Sequence, residues 1–190
     1  MRRWVPTLIA ANVAIYVLQQ MQPWVTGAFM WVPAQGWSHP WTAITYMFLH
    51  DPSGIGHILF NMLGLYCFGM PLEERYGRRE FLRYYLVAVV LGMFVWSAVH
   101  YFYLTQNLSP ADASVAVQRI TCYGASGGVT AVTLLFCLLY PRATLLAAFL
   151  FPVPAWLVGI FIIVSNLFGA SGSSPLMVAS PTMSTSSALD

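Results

Sequence analysis

The chain has 190 residues, of which 58% are hydrophobic and only 7% are charged. A soluble domain ordinarily carries about 25% charged residues, so this composition excludes that class and points to a membrane. The net charge of +2 is too small for a nucleic-acid surface, and Cys67, Cys122 and Cys137 lack the spacing of a metal site.

Met1-Arg2-Arg3 precedes an apolar run that predicts a first membrane span over residues 4–21. The following Gln19-Gln20-Met21-Gln22-Pro23 lacks a small-residue cleavage site, so the run is read as a retained span and not a leader. Residues 23–51 hold Trp24, Trp31, Trp37 and Trp41 with Pro33 and Pro40. Tryptophan favours the membrane–water interface, which predicts a loop half-sunk among the headgroups. A second span follows over 56–72, then the charge cluster Glu73-Glu74-Arg75-Tyr76-Gly77-Arg78-Arg79-Glu80. The third span is expected over 81–104, a polar loop over 105–121, and a fourth span over 126–140 that stops at Pro141-Arg142. The apolar stretch after it is interrupted by Pro152 and Pro154, which puts a fifth span at 153–168 behind a short connector. Residues 1–169 thus form one membrane domain. Residues 170–190 are polar and rich in Ser and Thr, and read as a disordered tail.

Arginine placement orients this array. With the N-terminus inside, Arg2, Arg3, Arg75, Arg78, Arg79, Arg83 and Arg142 are cytoplasmic, and only Arg119 lies outside. That is the positive-inside pattern, here of a bacterial inner membrane protein with a cytoplasmic N-terminus. It puts the start of the fourth span on the outer side.

That start reads Gly124-Ala125-Ser126-Gly127-Gly128. Small residues there serve close helix packing. Taken alone the stretch favours that packing, but it also suits a serine nucleophile on a tight turn, beside helix N-terminal amides that can hold an anion. In the second span His57 and Asn61 stand four apart and share one helical face. Two polar side chains in a membrane helix need partners: they either tie helices together or point at a watery site, where both can donate to an oxyanion. Alternation of the spans brings His57, Asn61 and Ser126 to a similar depth. His50, at the loop end, is read as structural. No run of charges lines any span, so a channel or carrier has no support.

Taken together, Trp41-Thr42, Phe48-Leu49-His50, His57-x-x-x-Asn61, Leu72-Glu73-x-x-x-Gly77 and Gly124-Ala125-Ser126-Gly127 resemble the rhomboid family of intramembrane serine proteases. The resemblance covers roughly residues 4–168. It implies an all-α polytopic membrane protein, a rhomboid-like helical bundle with five of an expected six membrane helices. It also implies Ser126 as nucleophile, and an oxyanion site made by His57, Asn61 and the Ser126 amide. The expected partners are transmembrane protein substrates within the lipid bilayer, without nucleic acid, metal or cofactor. The charged stretch after the second span would brace the inner side. The family's general base, a histidine on the sixth helix, has no match: the histidines are His39, His50, His57 and His100. A serine hydroxyl is a weak nucleophile without a base, so the chain is expected to be an inactive or impaired endopeptidase. The alternative is a non-catalytic relative that binds transmembrane clients. The tail also permits a frameshift. Read one base out of register with four-fold codon boxes, the codons for residues 178–189 can encode Leu-Ala-His-His-Val-His-Leu-Val-Gly-Ala, with only the central valine forced. Sequencing the locus over residues 165–190 checks this expectation.

Overall fold

A computed structural model of the chain describes residues 3–147 and 151–172. Helix α1 spans Trp4–Met21. The tryptophan-rich segment folds into α2 (Trp24–Phe29), a 3-10 turn at Pro33–Gln35, α3 (Thr42–Thr45) and a second 3-10 turn at Tyr46–Phe48. Then come α4 (Gly56–Tyr76), α5 (Arg78–Asn107), the short α6 (Pro110–Val117) and α7 (Ser126–Leu139). Strands β1 (Thr144–Ala147) and β2 (Phe151–Pro154) lead into α8 (Ala155–Gly172). The architecture is a helical bundle with little sheet.

The core follows from helical spacing. Phe81, Tyr85, Val89 and Met93 recur every fourth residue of α5 and are all buried. They pack against Val129, Val132 and Phe136 of α7, Leu65 and Leu72 of α4, and Val5 and Leu8 of α1 in one cluster. The opposite faces are as apolar as the core. Phe60 on α4, Phe94 and Phe102 on α5, Leu138 on α7 and Phe161 on α8 are each more than half exposed. Exposed apolar surface on this scale has no place in water but suits lipid. Among the described residues, α5 alone is both long and apolar enough to cross a membrane by length and composition, with a mean hydropathy of 1.8; Ser126–Leu139 and Ala155–Val164 are shorter apolar helices. At 30 residues, α5 exceeds the roughly 20 a span requires.

Two sets of contacts define the ends of the bundle. At one end Arg3 pairs with Glu74, Arg78 lies over the Trp4 ring and Arg75 lies over the Tyr140 ring. At the other, Gln19 bonds the backbone of His50, Gly124 N–H donates to Tyr46 O, and Trp31 and Cys122 exchange backbone hydrogen bonds of 2.9 Å each way. The starts of α1 and α5 thus share one end with the finishes of α4 and α7. At that end Glu73, buried, accepts hydrogen bonds from Trp4 N–H (2.6 Å) and Val5 N–H (2.9 Å). A carboxylate there satisfies two orphan amides of α1 and complements its dipole. Glu73→Ala strands both donors, so a loss of about 2–3 kcal/mol is expected. The denaturation midpoint of the purified chain in detergent reads it, and an unchanged midpoint would refute the capping role.

Several elements differ from the sequence expectation. The loop over 105–121 holds α6, because Pro110 fits the first helical turn and Ser109 caps it by accepting from Asp112 N–H. The connector expected before the fifth span holds an antiparallel strand pair with Leu145 opposite Val153; the prolines that break a helix there sit on a two-stranded ribbon, where they are tolerated. The helix α4 continues to Tyr76, so the charge cluster begins within its last turn, and α8 runs to Gly172, into the segment read as tail. The rest of that tail, and with it the frameshifted stretch, lies outside the described residues.

Candidate active site

Ser126 opens α7, and the turn before it is held by two backbone contacts. Trp31 and Cys122 pair as an isolated bridge, and Gly124 N–H donates to Tyr46 O at 2.9 Å. The buried Trp31 is fixed in turn by its indole N–H, which donates to Ser97 Oγ at 2.9 Å. Gly124 then takes φ +126°, a conformation open to glycine and strained for other residues. Glycine is also needed for space: a Cβ here would lie 3.1 Å from His57 Cε1, 3.4 Å from His57 Nε2 and 3.7 Å from Ser126 Oγ. The His57 ring therefore rests against the turn that presents Ser126.

The first intrahelical bond of α7 runs from Val129 N–H to Ala125 O. The amides of Ser126, Gly127 and Gly128 precede it and have no helical acceptor, which is how a helix start offers donors to an anion. Ser126 and Gly127 are exposed, and Ser126 Oγ makes no hydrogen bond among the described residues. His57 sits in the first turn of α4, and its Nδ1 accepts a long, 3.4 Å bond from Asp51 N–H. An accepting Nδ1 puts the proton of the neutral ring on Nε2, the nitrogen facing Gly124.

Asn61 is buried one turn further along α4, and its Nδ2 donates to His57 O at 2.8 Å. It lies between two contacts of α4 with the α7 segment: His57 against Gly124, and Gly64 against Val129, where a Cβ on Gly64 would be 3.0 Å from Val129 Cγ1. The structure thus brings His57 and Ser126 to one turn and puts Asn61 on the same helix–helix face, with its amide bonded to its own helix.

One neighbour is the histidine that the sequence reads as structural. His50 is fully buried, and its ring meets that of His57 edge to face at 5.2 Å between centroids. Neither ring nitrogen of His50 has a hydrogen-bond partner among the described residues. Burial, then the nearby His57, lower its pKa from 6.5 to about 4. The neutral ring is therefore the folded form. Its stability contribution is full above pH 6.5 and is lost as pH falls toward 4. Thermal unfolding in detergent is expected to shift downward over that window, and less so in His50→Phe. Equal shifts would contradict this, since the nearby Asp51 carboxylate, held low by Ser53, remains in both proteins.

His39 and His100 are elsewhere. His39 lies beside Ser38 and Trp41 in the tryptophan-rich segment, and His100 stacks on Trp96, bonded to its backbone carbonyl. Among the described residues no group of three or more His, Cys, Asp or Glu side chains could hold a metal ion.

Fold and site together define a helical-bundle membrane protein that keeps a small polar cluster at one end of its bundle. The Rhomboid domain profile matches residues 38–182, and the chain belongs to the rhomboid family. It is 43% identical over 125 residues to RHOMBOID-like protein 12, mitochondrial, of Arabidopsis thaliana, a match covering 64% of this chain and 36% of that protein. It is 31% identical over 161 residues to Rhomboid-like protein 16, chloroplastic, of the same plant, covering 78% of this chain and 48% of that protein. The chain therefore spans less than half the length of either relative.

Proposed function

We propose that this chain carries the catalytic centre of an intramembrane serine endopeptidase, with a transmembrane protein segment as substrate. Ser126 Oγ is the nucleophile that adds to the scissile carbonyl carbon. The negative charge that develops on the carbonyl oxygen is met by the Ser126 amide, His57 Nε2–H and the Asn61 side chain. The observation that carries this reading is the approach of His57 Nε2 to Gly124 with Nδ1 engaged as acceptor, which makes the ring a donor aimed at the serine turn. Such donors act where charge appears in the transition state.

Attack needs a base to take the hydroxyl proton. None of the histidines in the chain bonds Ser126, so the chain by itself is expected to be inactive or impaired. The unpartnered Ser126 Oγ also favours a second reading, a rhomboid-like protein that binds transmembrane clients without cutting them. Arginine placement supports an N-terminus on the cytoplasmic side; the organellar words in the relatives' names describe those proteins. The test is a fluorophosphonate probe applied to the detergent-solubilised chain with imidazole supplied as base, followed by peptide mass mapping. A phosphonyl adduct on Ser126 that vanishes in Ser126→Ala is the expected result. Labelling spread over other residues, or none at Ser126, would favour the client-binding reading.

A further inference from the structure

At the end of the bundle opposite Ser126, α4, α5 and α7 leave a slot of about 260 Å³ lined by Leu72, Tyr76, Glu80, Phe81, Tyr84 and Leu135. Its walls are almost wholly apolar and aromatic. The volume lies below the roughly 300–1,000 Å³ that encloses a whole small ligand, which fits a length of chain better than a compact solute. The one charge in the lining, Glu80, accepts a 2.7 Å hydrogen bond from Arg83.

The rim is cationic. The carboxylates at this end are engaged: Glu73 by the amides of Trp4 and Val5, Glu74 by Arg3 and Glu80 by Arg83. Among the described residues Arg75, Arg78, Arg79 and Arg142 have no carboxylate partner. Arg75 is held beside the slot, 5.8 Å from the centroid of the Tyr76 ring and 5.6 Å from that of Tyr140. Tyr76 itself lines the slot. The Tyr140 and Tyr76 hydroxyls engage part of the guanidinium, whose five N–H donors leave others to bond an anion.

We propose that this is a binding site for an anionic phospholipid: the headgroup phosphate bonds Arg75 and Arg142, and an acyl chain enters the slot between Leu72, Phe81, Tyr84 and Leu135. The location agrees, since arginine placement puts this end at the cytoplasmic leaflet, where anionic lipids attract basic residues.

The test uses the full chain in neutral detergent, with phosphatidylglycerol, phosphatidylcholine or inorganic phosphate as probes, read by native mass spectrometry of retained lipid. Phosphatidylglycerol is expected to be retained in preference to phosphatidylcholine. Removing one rim charge, in Arg75→Gln or Arg142→Gln, is expected to weaken retention about fivefold. Leu135→Trp, which fills the slot, is expected to abolish it. Arg119→Gln, which removes the same charge at the other end, should leave it unchanged. If Leu135→Trp does not fold, the two arginine variants decide alone. Equal retention of both lipids, or an equal effect of Arg119→Gln, would overturn the proposal. Displacement of the lipid by millimolar phosphate would show a plain anion site and overturn the lipid assignment.

Discussion

Gly128→Leu is expected to leave the bundle unable to close. A Cβ at this position would lie 2.7 Å from Tyr85 Cε2 and 2.8 Å from Val89 Cγ2. Both neighbours are fully buried on α5, so neither ring nor methyl can swing into open space. A leucine must therefore push α7 away from α5, and the turn carrying Ser126 moves with it. Overpacking of a dense core costs about 1–3 kcal/mol where it can be absorbed, and here a whole helix interface must separate. The expected readout is loss of the cooperative thermal transition in detergent and of a monodisperse elution peak. Gly127→Ala is the control, since nothing lies within 4 Å of a Cβ there. Comparable behaviour of the two variants would contradict this packing.

His57→Ala is expected to slow fluorophosphonate labelling of Ser126, measured with imidazole present, by about 100-fold. That is the size of effect found when one donor to a developing oxyanion is removed. The variant leaves Gly124 and its backbone path in place, because Tyr46 O and the Trp31–Cys122 bridge hold the turn independently of the ring. Asn61→Ala is expected to cost less, since the Asn61 amide already gives a hydrogen bond to His57 O. A His57→Ala protein that folds, labels at the unaltered rate and keeps its adduct on Ser126 would remove His57 from the site.

Much of this arrangement is legible in the residues themselves. The four-residue spacing of His57 and Asn61 fixes a shared helical face, and alternation of apolar runs brings the start of α7 to the same end of the bundle as the start of α4. Side-chain detail is less legible. The amide of Asn61 turns back on its own helix because a carbonyl four residues earlier is always in reach of a helical asparagine. The place of His50 beside His57 depends on the loop being pinned through Gln19, 31 residues away, which no local pattern announces. The capping of α1 by Glu73 joins residues 68 and 69 positions apart for the same reason. Of the small residues at the start of α7, Gly127 is exposed, whereas Gly128 is buried against α5. Small residues show that something comes close without showing which helix does so. The pairing of β1 with β2 was hidden because Pro152 and Pro154 signal only that a helix cannot continue.

The central claim is that Ser126 stands in a site formed for acyl chemistry and lacking only a base within this chain. Triad members act as a unit, so loss of one removes most of the advantage. The direct measurement is the rate of fluorophosphonate labelling at Ser126 as a function of imidazole concentration, with Ser126→Ala as blank. The expected result is negligible labelling without imidazole and a rate that climbs in proportion to it. Fast labelling without imidazole would mean that a base is already present. A rate that stays at the Ser126→Ala level whatever the imidazole concentration would mean that the site is not built for this chemistry.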